Sequence, residues 1–409
     1  MLDDLPSVPG RLGLALAAVL ALTAAPPAAA RPGGAAPDDE PADFADDVRV
    51  LFRAVACTGD APLPANLDAG VIEAHCRKER KAIAAYRDRY LPVARRFLRT
   101  LRPASLPETV VYPFGGGDLL SALTTYPDAR DYTTMSLEHA GDPRRLAKVT
   151  SPRVLADSLE LVRATSGGLL YANDSKTENL MKGQRGEIPG QLAFFMLGLA
   201  VHGYEPVSLR FFRVEPDGTL HYYTRAEIAA DEQRTAALLR GQWTAPDFSA
   251  VFSNAELVFV KRGEDPATQA RVHRHLAADL SDGALKLRNP GLVPWLDSKG
   301  RIVAMTKAAS YLLWRDDFST IRRYLRGHMD LMISDSTGIP PDLLGKGFEQ
   351  TTYGRFSRSF LDASGKHNAA FVKLWSSQPE RKLPIRYGYI DGERNAHLVV
   401  TRKAAATKT

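Results

Sequence analysis

A mixed α/β fold built on a mostly parallel sheet is what this chain predicts, and three observations predict it. From Thr109 the sequence reads T-V-V-Y-P-F-G-G-G-D, an apolar β-prone run that breaks into three consecutive glycines. A short helical stretch, Asp118 to Thr125, and a second β-prone run, Tyr132 to Leu137, complete a β-α-β pattern. Much later the same ingredients return, with apolar I-V-A-M at 302–305, helical patterning, and the strand L-M-I before the loop S-D-S-T-G-I-P-P. Strands alternating with helices pack as a parallel sheet. The expectation is therefore a Rossmann-like α/β domain over 105–402 with antiparallel C-terminal strands, preceded by a disulfide-stapled helical hairpin over 43–104.

Residues 1–30 read as a signal peptide: Arg11, an apolar run from Leu12 to Ala25, then the small residues Ala28-Ala29-Ala30. The run is shorter than the ~20 residues a membrane span needs, and no later segment is long and apolar enough. The mature chain is thus expected to be exported, either periplasmic or secreted. Residues 31–42, rich in Pro and Gly, form a flexible leader, and 403–409 a polar tail. The formal net charge is +6, a mild value for 409 residues that does not mark a nucleic-acid binder.

In the hairpin, a helix from about Asp43 turns its apolar side inward and ends near Cys57. A second, from about Ala69 to Leu101, carries Arg and Lys on its outer face, a pattern read as a solvated surface laced with ion pairs. Cys57 and Cys76 are the only cysteines. In an exported chain a disulfide is the leading reading and two free thiols the other. No nearby set of further ligands points to a thiolate metal site.

The middle of the chain predicts helices at 153–164, 177–181 and 189–202, then a hairpin turning at Asp217-Gly218, then strands near Glu256 to Val260 and Arg271 to Leu276. His273 and His275 share one strand face, a metal-ligand spacing. With only Asp279 and Asp282 as distant extra ligands, two solvent-facing histidines are expected and no metal. Farther on, T-K-A-A-S-Y-L-L-W reads as a helix with Lys307 and Ser310 on one face. The tail predicts a strand Q-T-T-Y-G-R-F, a helix at 368–376, and two paired strands, R-Y-G-Y and A-H-L-V-V-T, turning at Asp391-Gly392.

The glycine turn is the best candidate site. Gly115, Gly116 and Gly117 let a ligand approach the backbone closely and present free amides to it. Asp118 and Glu138 supply carboxylates, Glu138 standing where the acidic side chain of a dinucleotide fold meets a ribose. The fingerprint is incomplete, because Leu120 replaces its third glycine, and SAM and nicotinamide cofactors are cytoplasmic pools. Asp335, in a strand-end loop, and the pair Lys307 and Ser310, spaced as a Ser-Lys nucleophile, join the list.

The motifs Y-P-F-G-G-G-D at 112–118, Y-P-D-A at 126–129, L-E at 137–138, K-A-A-S-Y-L at 307–312 and the loop at Asp335 together resemble a family of uncharacterised exported bacterial proteins with a Y-P-F-[SG]-G-x-D motif. The first β-α-β unit also resembles a methyltransferase-like one. These resemblances imply an exported α/β protein and bring no cofactor or activity. The expected function is binding of a small polar or anionic ligand at the glycine turn. The alternatives are a methyltransferase-like or hydrolytic enzyme using the same cleft, or a structural envelope protein. Oligomeric state is not readable.

Overall fold

The structure, a computed structural model, describes residues 39–172, 187–188, 190–238, 249–356, 366–388 and 397–404. All of these lie in one compact unit, Ala35–Thr409. The expected signal peptide, most of the leader, the expected helix at 177–181 and the Asp391-Gly392 turn fall outside the described residues.

The fold is α/β. Ten strands make one sheet: β1 (Thr109–Pro113), β2 (Asp131–Ser136), β3 (Tyr204–Val214), β4 (Leu220–Tyr222), β5 (Ala255–Lys261), β6 (Arg271–Ala277), β7 (Ile302–Thr306), β8 (Met329–Ser334), β9 (Phe348–Gly354) and β10 (His397–Lys403). Their order is β4-β3-β5-β6-β2-β1-β7-β8-β10-β9. The central five run parallel. Antiparallel pairs close both flanks, with β10 wedged between β8 and β9. The partners of A-H-L-V-V-T are therefore β8 and β9, and residues 386–388 of R-Y-G-Y form no strand.

β1 is almost continuously apolar because both faces of the sheet are covered. Val110 and Tyr112 enter one core with Val303 and Met305 of β7. Val111 faces the other, with Ile302 and Ala304. The first face is roofed by α1 (Ala45–Ala56), α2 (Ala69–Ala85), α3 (Leu91–Thr100), α4 (Leu119–Thr125), α5 (Pro152–Gly167) and α6 (Gly190–His202). α7 (Arg225–Leu238) follows β4. The opposite face is covered by short helices at 282–297 and by α8 (Ser319–His328), and α9 (Lys366–Ser376) packs beyond β9.

The stapled hairpin is present. Cys57 and Cys76 are joined, with Cα atoms 5.2 Å apart, and Asp68 caps α2 by accepting a hydrogen bond from the Val71 amide. The hairpin belongs to the main core: Val48, Leu51 and Phe52 are fully buried, and Phe44 meets Phe211 of β3 edge-on at 5.3 Å. A π turn, Tyr86–Tyr90, separates α2 from α3, and a second one, Gly168–Ala172, ends α5.

His273 and His275 correct the expectation of solvent-facing side chains. They share a face as the strand period requires, but both are fully buried under Phe195 of α6. Thr134 bridges them, 2.9 Å from His273 Nε2 and 3.1 Å from His275 Nδ1, and His275 Nε2 donates to the Glu138 carbonyl at 2.7 Å. Burial pushes His275 down to about 4 and lowers His273 as well, so both are neutral core groups at pH 7.

Candidate functional site

Parallel strands end on one edge, so the loops after β1, β2, β7 and β8 share that edge. The chain runs from β1 outward through β2 to β6, then returns to β7 on the other side of β1. The strand order therefore reverses between β1 and β7, the position at which open α/β sheets hold ligands. Glu138 follows β2, the glycines follow β1, Lys307 follows β7 and Asp335 follows β8.

The glycine turn is folded tightly. Phe114 and Gly116 have positive φ (60° and 51°), Gly115 N donates to Met135 O at 3.0 Å, and all three glycines are buried. A Cβ on Gly115 would stand 2.6 Å from the Tyr112 ring, and one on Gly117 would collide with Gln191 and Phe194 of α6. Close side-chain packing thus already accounts for two of the three glycines.

Asp118 and Lys307 meet as a fully buried ion pair at 2.8 Å. Asp118 Oδ1 caps α4 through the Ser121 amide, Oδ2 accepts from the Tyr112 hydroxyl, and Lys307 Nζ donates to Ser121 Oγ at 2.6 Å. The pair ties β1, α4 and β7 together across the point where the strand order reverses.

The segment after β7 is not the expected helix. Ala308, Ser310 and Tyr311 all take left-handed φ between 53° and 59°, and only a short 3-10 turn, Leu312–Trp314, follows. Lys307 is buried while Ser310 is exposed, so no Ser-Lys pair forms. Three such residues cost about 1 kcal/mol each or more and persist only where the surroundings enforce them. Asp335 and Thr337 do: Asp335 Oδ2 accepts from Ala308 N at 2.9 Å and Thr337 Oγ1 from Ala309 N at 3.1 Å, while Asp335 Oδ1 accepts from Thr337 N at 2.8 Å. Asp335 shapes this loop, and a Cβ on Gly388 would collide with it.

Two features here carry no local sequence signal. Ser336 Oγ lies 2.9 Å from His397 Nε2 and 3.3 Å from the Tyr311 hydroxyl, a nucleophile-and-base separation in a fully buried setting. Burial lowers the His397 pKa against the opposing Asp335 charge. The other is Gln191, fully buried beside Gly117, whose amide oxygen and nitrogen both lack a hydrogen-bond partner among the described residues.

Glu138 is the anomaly of the site. Its side chain is buried and neither carboxylate oxygen has a hydrogen-bond partner among the described residues. The loop that carries it adjoins the start of α6, where Leu192 N donates to Ala140 O at 3.3 Å. Leaving a buried polar group unmet costs on the order of 1–3 kcal/mol, and more for a charge.

Among the described residues the one cluster of metal-ligand atoms is Cys57, His75 and Cys76, within 4.8 Å of one another. The two sulfurs are bonded to each other, and His75 Nε2 lies 2.9 Å from Val55 O. His75 precedes Cys76 directly, an adjacency that could have singled it out in the sequence.

No family model matches the chain, and a search of the curated proteins finds no match.

Proposed function

We propose that the protein is exported and binds a small polar ligand where the strand order reverses, with Glu138 as the principal acceptor. The observation that carries this reading is the buried Glu138 carboxyl group, both of whose oxygens lack a hydrogen-bond partner among the described residues. Proteins tolerate such groups where a ligand completes them. Among the described residues Glu138 forms no ion pair, and a carboxyl group without a cation partner disfavours an anion, so the reading narrows to a ligand offering hydroxyls or an ammonium group. The disulfide fits an oxidising compartment, and resemblance to an exported family points the same way.

A methyltransferase-like enzyme is the second reading. It rests on the resemblance of the first β-α-β unit to a methyltransferase-like one, placed where the strand order reverses. Likeness of fold does not carry activity with it.

Native mass spectrometry of protein purified from its own periplasm or medium tests the binding reading. A retained small molecule is expected on the wild type and is expected to be lost on Glu138→Leu. The same variant should unfold at a higher temperature, since it removes a buried polar group left unmet. A ligand-free wild type together with a Glu138→Leu variant that unfolds earlier would sink the reading.

A further inference from the structure

We propose a second ligand site, separate from Glu138: the groove between the two π turns binds a flat apolar molecule that carries an anionic group. The groove holds about 380 Å³, within the range of small-molecule sites. Its walls are Tyr86 and Tyr90 of the first π turn, Val93 of α3, Leu170 of the second π turn and Ile385, with Arg89 and Arg386 at the rim.

Two observations converge on it. A π turn inserts one residue into a helix at the expense of hydrogen-bond geometry, and such turns collect at functional positions. Both π turns among the described residues send side chains into this one groove. The walls are the surface a planar ring would choose, because Tyr86 and Tyr90 already lie ring to ring at 4.8 Å, and the Tyr90 hydroxyl is tied back to Arg386 O at 2.8 Å.

The rim decides the charge of the occupant. Arg89 is exposed and permanently cationic, so a carboxylate or sulfonate at the mouth gains its attraction while the ring stays on the tyrosines. Below the groove the two tyrosines also line a gap too tight for a water, bordered by Ser121, which hydrogen-bonds Lys307.

The test uses the mature chain and the fluorophore 1-anilinonaphthalene-8-sulfonate at pH 7. Saturable, one-to-one fluorescence enhancement well below the unfolding temperature is expected, with displacement by 2-naphthoate. Val93→Trp, a substitution at a half-exposed position, fills the groove and should weaken both compounds by about tenfold or more. Arg89→Ala should weaken 2-naphthoate but leave neutral 2-naphthol unchanged, which separates the rim charge from the apolar wall. Enhancement that arises only as the chain unfolds, or that survives Val93→Trp in a folded variant, overturns the proposal. Equal loss of naphthoate and naphthol on Arg89→Ala overturns the anionic preference.

Discussion

Lys307 shows how much one side chain can be asked to do. It is fully buried, faces Asp118 at 2.8 Å and touches the first turn of α4 through Ser121. A buried pair of this kind contributes modestly as a pair, but removing one partner strands the other charge in a low-dielectric interior. Lys307→Met should destabilise the protein by roughly 3–5 kcal/mol. The double variant Lys307→Met with Asp118→Asn should recover part of that loss, because the stranded charge is gone while the helix cap is kept. Urea denaturation of the wild type and the two variants measures this, and a cost for Lys307→Met below about 1 kcal/mol would mean the pair is not holding β1 to β7. The sequence singled out both residues, but as ligand groups. Their meeting depends on β7 lying beside β1, which no local pattern encodes.

At the scale of elements, what could be read from the chain divides by the range of the interactions that decide it. The β1-α4-β2 unit was legible because glycines and apolar runs are neighbours in sequence. The stapled pair of helices was legible for the same reason, with helical period and two cysteines in one stretch. The segment Lys307 to Trp314 was misread because its helical spacing is overruled by Asp335 and Thr337, which hold its amides in a left-handed run. His273 and His275 had the right face and the wrong environment, since only α6 decides which side of β6 is covered. The unmet atoms of Gln191 and the Ser336 contact to His397 were out of reach altogether, each joining distant parts of the chain. The hairpin itself is open to measurement. Replacing Cys57 and Cys76 by serine should cost about 3 kcal/mol through the freed loop, seen as a lower urea midpoint that added reductant no longer shifts, whereas the wild type should fall to the same midpoint on reduction. An unchanged midpoint on replacement would show that core packing of α1, rather than the staple, fixes the hairpin.

For the whole molecule, stability should depend on pH from two sides. His202 and His275 are held neutral by burial, pushed down to about 3 and about 4. The unfolded chain binds protons there from about 6.5 downward, so stability falls as the pH drops below that value. Glu79 acts in the opposite sense. Burial raises its carboxyl from 4.5 to about 7, so the native state keeps a proton that the unfolded chain releases, and stability falls as the pH rises between those values. Glu79→Gln should therefore match the wild type near pH 4 and exceed it at pH 8 by up to roughly 3 kcal/mol. Denaturation midpoints across that range check the sign, and a difference that does not vary with pH would refute it.

The placement of β10 has a consequence for how the sheet comes into being. β9 touches its neighbours only through a strand made after it, so a nascent chain halted before residue 397 carries β8 with a bare edge and β9 with nothing to pair against. Two unpaired edges are an invitation to stray association between copies. The same delay keeps this flank of the sheet unfinished, and so pliable, until a late segment slides between the other two and locks them.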